Sequence, residues 1–330
     1  MLQLKNDTPF AAEIALFPNA QGIDTLYTIM KATFCYAGGW ALAEEQILPQ
    51  AEDEYWGEPG QSSLKSASDF HTGKPASDVI VIGSACAKDR QEVKQLQVSV
   101  NVASLSKTVL VTGNRVWQHG NISKIEPFKT MPIVYEKAFG GCHVLDQATY
   151  LAEEKNPVGC GFSGKRSMEE MHNLPLPNIE EPTSVIRQYS DRPKPAGFGF
   201  CSPNWLPRRQ YAGTYDEAWQ QNRAPYLPTD FDSRFLNCAH PDLIYPGYLQ
   251  GGEAFSISNM HPEGTFSGNI PQLSAVSDIR FGSESNKSPM NLETVVFEPN
   301  KKTISMVWRS AFECDKRALK ITEIGLSLAR

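Results

Sequence analysis

The chain has 330 residues, of which 41% are hydrophobic, 10% aromatic and 21% charged, with a formal net charge of -6. This composition is that of a soluble globular protein with one large core or two small ones, and the acidic balance argues against nucleic acid as the main ligand. No segment reaches the run of about 18 apolar residues that a membrane span needs, and the opening MLQLKNDTPFAAEIALF, with Asp7 and Pro9, is no secretory signal, so a cytoplasmic location without a membrane partner is expected.

Strand signals dominate both ends. Thr25–Tyr36, Asp78–Ala87 and Lys94–Val102 are rich in β-branched and apolar residues. In the third, Gln95, Gln97, Ser99 and Asn101 alternate with Leu96, Val98, Val100 and Val102, the period of two of a half-buried strand. Thr108–Thr112 and Val116–Trp117 follow. Leu292–Phe297 and Thr303–Trp308 flank the turn EPNKK and predict a hairpin. Leu319, Ile321, Ile324 and Leu326 suggest a last strand, bulged near Gly325. Helix signals are few. Thr214 with Glu217 three residues on is a capping box that opens a short helix through Arg223, and Ser167–His172 is a second candidate. The acidic segment Glu44–Gly73 and the loop Gly140–Pro182 read as mobile surface. The fold expected is mainly β: antiparallel sheets packed as a sandwich or barrel-like domain, with few short helices. A single domain, 1–330, is divided into a β half 1–139, a loop-rich segment 140–252 and a β segment 253–330.

Between Arg187 and Gly252 the pattern changes. Twelve of the 33 aromatic residues, six of the 13 arginines and eight of the 23 prolines fall between Arg187 and Tyr248. Disordered segments are poor in aromatics, and prolines interrupt regular strands and helices. A long ordered Pro/Gly/aromatic loop is expected, and loops of that length are usually functional. Arg, Tyr and Trp are also the types that dominate interface hot spots.

Candidate chemistry is sparse. The seven cysteines lack any C-x-x-C pair and read as reduced thiols. Gly159–Lys165 matches G-x-G-x-x-G and most of a phosphate-binding loop, but no strand precedes it and Arg166 replaces the Mg²⁺-binding hydroxyl; a turn is the expected structure. If Asp230–Phe235 is extended, Asp230, Asp232 and Arg234 share one face. Carboxylates so placed lie about 7 Å apart. That spacing suits an inverting glycosidase pair or an oxygen-ligand metal site; the reading favoured over these is an Asp–Arg network that fixes the loop, with Arg192, Arg208 and Arg209 available as further partners. His240-Pro-Asp242 offers an Asp-oriented imidazole, for which a polar surface role is the simpler reading. Tyr215 and Trp219, four apart on the short helix, share a face expected to pack on the sheet. No catalytic constellation, metal or cofactor is expected.

The ordered segments GKPASDVIVIGSACA, SKTVLVTGNRVW, MPIVYEKAFGG, NPVGCGF, PKPAGFGFCSPNWLPRRQYAGTYDEAW, LPTDFDSRFLNCAHPDL, GYLQGGE and TISMVWR resemble a bacterial domain-of-unknown-function family, number 2169, associated with type VI secretion. The resemblance departs from the pattern at Cys160, Cys201 and His240. It implies a non-enzymatic adaptor, or chaperone, that loads a toxic effector onto the secretion spike. The partners implied are that effector and, as a further contact, the spike-tip protein. The protein-binding or loop-organising candidates are Arg192, Trp205, Arg208, Arg209, Tyr215, Asp216, Trp219, Asp230, Asp232, Arg234 and Phe235. Arg208 is read as surface-exposed. The alternatives are a hydrolytic, carbohydrate-active enzyme using Asp230 and Asp232, or a structural spike component.

Overall fold

The computed structural model describes residues 3–146, 148–282 and 284–329. Its axis is the strand Asp24–Tyr36, apolar or β-branched at most positions and buried on both faces. Such a strand has to lie between two layers. It pairs antiparallel with Ala11–Pro18 on one side and with Thr303–Glu313 on the other. Thr303–Glu313 forms the expected hairpin with Asn291–Glu298, which then runs parallel to Asp78–Val81. The short strand Trp40–Leu42 also pairs with Asp24–Tyr36 and completes this sheet.

A second sheet faces the first. It runs Ile179–Glu180, Leu105–Thr112, Gln95–Val102, Ala254–His261 and Gly264–Asn269. The alternation read in Gln95–Val102 is realised: Val98, Val100 and Val102 are fully buried and the polar positions between them turn outward. Phe255 of this sheet meets Phe297 of the first with ring centroids 4.8 Å apart, and Phe266 meets Tyr36 at 5.6 Å. Burying rings of this size dominates core energetics. A third sheet, Leu4–Asn6, Glu323–Leu328, Ala275–Phe281 and Glu284–Pro289, packs a smaller core of Leu26, Ile279, Cys314, Ile321 and Ile324 against the other end. The fold is mainly β, sheets packed as a sandwich; among the described residues none closes into a barrel.

Several local expectations are corrected. Asp78–Ala87 is two strands, Asp78–Val81 and Ser84–Cys86, and the second pairs with Thr130–Pro132. The last strand is Glu323–Leu328, without a bulge at Gly325, and Leu319 is exposed on a preceding 3-10 turn. Ser167–His172 forms hydrogen-bonded turns, although Ser167 and Glu170 do cap one another reciprocally. The two segments read as surface carry buried anchors: Leu64 and Asp69 in one, Met171, Leu176 and Ile179 in the other. The main core draws side chains from 1–139, 140–252 and 253–330 alike.

Candidate functional site

The aromatic segment Arg187–Gly252 contains no strand and divides into a stem and a tip. The stem enters the main core. Phe198, Phe200, Cys238, Leu243 and Leu249 are buried, and Trp205, 2% exposed, sets its ring edge-on to Tyr135 at 5.3 Å. Arg208 is only 9% exposed. It donates from Nη1 to Cys201 O at 2.6 Å and from Nε to Phe235 O at 3.0 Å, and its guanidinium lies over the Phe235 ring. Trp205 and Arg208 therefore hold the loop together rather than face a partner. The reading of Arg208 as exposed is overturned, because the chain on both sides of it turns inward and supplies carbonyl acceptors.

Beneath the stem lies a buried polar network. Lys74 Nζ donates to Asp78 Oδ2 and Thr294 Oγ1, each at 2.7 Å, and to Cys238 Sγ at 3.3 Å. Asp78 also accepts from Asn237 Nδ2 and from the Cys238 amide. Burial works against the Lys74 ammonium, but Asp78, Cys238 and Glu293 together outweigh it and hold its pKa above the usual lysine range. Every polar group here is paired, as burial of charge requires.

The tip, Tyr211–Phe235, lies outside. The helix is Glu217–Asn222, and its cap is Asp216, whose carboxylate accepts from the Trp219 amide at 2.8 Å. Thr214, expected as the cap, instead donates from its amide and hydroxyl to Asp230 at 3.0 and 2.7 Å. That clip closes the neck of the tip. Gly213 beside it has φ +83, and a Cβ there would meet Pro228, Asp230 and Phe231 at 2.9–3.1 Å, so only glycine fits. The helix buries no residue. Tyr215 and Trp219 do pair, edge-on at 4.7 Å, but they do not pack on the sheet: Tyr215 is 54% exposed. Trp219 Nε1 donates to Tyr226 O, and Arg223 reaches Ala20 O at 2.7 Å, which fastens the tip to the loop after strand Ala11–Pro18.

The segment Asp230–Phe235 is not extended. Asp232 caps a 3-10 turn, Ser233–Leu236, and accepts from the Arg234 amide, Nε and Nη2 at 2.9, 2.9 and 2.5 Å. Arg234 then stacks on Tyr211 at 4.3 Å. The two carboxylates thus serve separate local motifs, and the network shared with further arginines does not form. Arg192 donates to Ser163 Oγ, Tyr189 O and Asp191 O; Arg209 pairs with Glu154 at 2.7 Å; Phe235 lies under Arg208. Hydrogen bonds from Thr214 hold Asp230 below its ordinary pKa, and those from Arg234 do the same for Asp232. A glycosidase acid needs the opposite, a raised pKa in one of the pair. The hydrolytic reading loses its geometric basis.

A cleft of about 660 Å³ opens on the other side of the stem. At its base Lys107, nearly fully buried, bridges Glu181 Oε1 at 2.5 Å and Asp242 Oδ2 at 2.9 Å. His240 accepts the Asp242 amide on Nδ1 at 3.2 Å, so the proton sits on Nε2. Burial, reinforced by Lys107, lowers the His240 pKa to about 4 and keeps the ring neutral at pH 7. Burial pushes Asp242 up, but Lys107 outweighs this and holds it below the usual carboxylate range. Ligand atoms of Glu181, His240 and Asp242 lie within 4.8 Å of one another, a feasible set for a divalent ion. The Lys107 ammonium already occupies the cation position between the two carboxylates, so the cluster is an internal ion bridge. Local sequence revealed only His240 and Asp242; Lys107 lies in the strand Leu105–Thr112 and Glu181 just after the strand Ile179–Glu180, both far off in sequence. In the glycine loop Gly159–Lys165, Cys160–Gly161 pairs as a short parallel strand with Phe139–Gly140, and the expected turn is confined to Gly164–Lys165. Gly164, at φ +59, passes so close to His143 that a Cβ would lie 2.6 Å from it, and no helix N-terminus follows to hold phosphate.

Among the described residues no helix is long and apolar enough to cross a membrane. A family model described as an uncharacterized protein conserved in bacteria (DUF2169) matches residues 21–309. No curated protein and no solved structure matches the chain.

Proposed function

The chain belongs to the DUF2169 family, uncharacterized proteins conserved in bacteria, and from that premise we propose that it is a non-catalytic adaptor that binds a toxic effector and helps load it onto a type VI secretion spike. The observation that carries the reading is the tip. Tyr215 pairs with Trp219, whose Nε1 reaches Tyr226 O, and Arg234 stacks on Tyr211, all on short helical turns and loops that are clipped, capped and anchored to a buried stem. Tyr215 is 54% and Tyr226 41% exposed. Rigid aromatic and arginine side chains held ready on the surface lose little entropy on binding, which favours them as interface anchors. Specificity for one client follows from the tip's polar groups, since a partner that leaves them unpaired is rejected.

The test is a secretion assay that follows the tube protein and the effector separately in a deletion strain. Loss of one effector from the medium, with the tube still released, is the expected result. Unchanged effector release would sink the adaptor reading, and loss of all secretion would favour a structural spike component.

A further inference from the structure

The structure points to a second binding site, independent of the tip: we propose that the cleft beside His240 takes an organic oxyanion, a carboxylate or phosphate carried on an apolar body. The cleft is of a size that holds small molecules. Tyr135, Leu206, Pro195, Pro207 and Pro241 give it an apolar lining. The charged lining is mostly cationic. Lys155, Arg192 and Lys194 line the cleft, and Lys107 stands behind it. Against these four cations are two carboxylates, Glu181 and Asp242, both bound to Lys107. The imidazole of His240 adds no charge at pH 7.

The excess of positive charge stands out in a chain of formal net charge -6. Another concavity near the stem, of about 430 Å³, shows the contrast. Its lining charges Lys74, Glu293 and Arg309 all belong to buried ion pairs, with Asp78 completing the set. In the cleft, the Lys155 and Lys194 ammonium groups make no ion pair or side-chain hydrogen bond among the described residues, and both side chains are exposed on the rim. Lys194 is near enough to depress the His240 pKa together with Lys107, so its charge is felt at the base. Arg192 spends its donors on Ser163 and two carbonyls, groups that leave its positive charge uncompensated. A low-dielectric apolar lining beside unpaired cations strengthens their pull on an anion. The apolar lining in turn supplies the contact area that a free inorganic ion could not use.

Equilibrium dialysis of the full chain against naphthoate, naphthyl phosphate and neutral naphthamide tests this. At least one oxyanion should be retained, with naphthamide bound about tenfold more weakly and the difference shrinking as salt rises. Retention of naphthoate alone assigns a carboxylate ligand, and of naphthyl phosphate alone a phosphate. The variant Lys155→Glu/Lys194→Glu alters two exposed side chains, so its unfolding midpoint should match that of the parent while oxyanion retention falls about tenfold or more. Leu206→Trp, which narrows the cleft without touching a charge, should weaken both oxyanions too. Equal retention of naphthamide, undiminished binding by the lysine double variant, or no retention of either oxyanion would each overturn the proposal.

Discussion

The stem and the tip of the Arg187–Gly252 segment are built from the same residue types, yet one lies in the core and the other on the surface. Each places an arginine over an aromatic ring: Arg208 over Phe235 at 5.2 Å and Arg234 over Tyr211 at 4.3 Å. Each also carries a tryptophan, Trp205 buried against Tyr135 and Trp219 beside Tyr215 at the surface. What differs is where the guanidinium finds acceptors. Arg208 is satisfied by the carbonyls of Cys201 and Phe235, which the chain brings inward; Arg234 is satisfied by Asp232, two residues before it. An arginine satisfied by its own neighbour needs no scaffold and stays available to a partner. One that satisfies remote backbone becomes part of the scaffold.

The largest expected effect comes from breaking what lies beneath the stem. Asp78→Ala leaves the Lys74 ammonium and the Asn237 and Cys238 donors without their shared acceptor. Removing one member of a buried pair costs about 3–5 kcal/mol, read as a fall in the urea midpoint at unchanged slope. A loss of under about 1 kcal/mol would mean that the network is wet and that the stem is not a core element. Arg208→Ala is next. It deletes hydrogen bonds from a charged group to two buried carbonyls, at about 1.5–3 kcal/mol, and loosens both ends of the tip at once.

Much of the sandwich was legible because its signals are local. The alternation of Gln95–Val102 and the turn between Asn291–Glu298 and Thr303–Glu313 specify their strands without reference to the rest of the chain. The stem and tip were legible together as an ordered loop and illegible apart, since composition does not say which arginine the backbone turns inward. Asp230–Phe235 misled for a related reason. The alternation Asp-Phe-Asp-Ser-Arg-Phe satisfies a strand pattern, but Asp232 two residues before Arg234 also makes a 3-10 cap, and the local hydrogen bonds prevailed. Thr214 lost the cap because Asp216 lies nearer the helix and Asp230 competes for the threonine hydroxyl. The ion bridge at the cleft base could not be read at all: Lys107 is 74 residues from Glu181 and 135 from Asp242.

Acidification separates the stem side from the tip more gently. His240 is held at a pKa of about 4 by burial, against an unfolded value near 6.5. Its folded pKa is depressed, so the unfolded chain binds the extra proton between those values. The stability this neutral ring contributes is present above about pH 6.5 and is lost as pH falls toward about 4, at no more than about 1.4 kcal/mol per pH unit. His71, buried and depressed in the same direction, adds to the slope. His240→Asn keeps a side chain able to accept the Asp242 amide and removes the titration, so urea midpoints measured from pH 7 to pH 4 should fall less steeply than in the parent. An identical slope would place the pH sensitivity elsewhere.

The smallest effect on stability is expected at the tip, and there it sharpens the comparison most. Tyr215 is exposed, and among the described residues the Arg234 side chain is bound only to Asp232 and Tyr211, within the tip itself. Neither contributes to the main core. Tyr215→Ala combined with Arg234→Glu should therefore leave the unfolding midpoint and the β-type circular dichroism spectrum unchanged, where Arg208→Ala lowers the midpoint. Under the adaptor reading the same pair should abolish release of the client effector, because it removes an aromatic anchor and reverses the charge that meets the partner. Two results would break the distinction between stem and tip. A midpoint lowered as far as in Arg208→Ala would show that the tip is scaffold. Normal effector release by a folded variant would remove the tip from the client surface and leave the cleft as the strongest remaining candidate for contact.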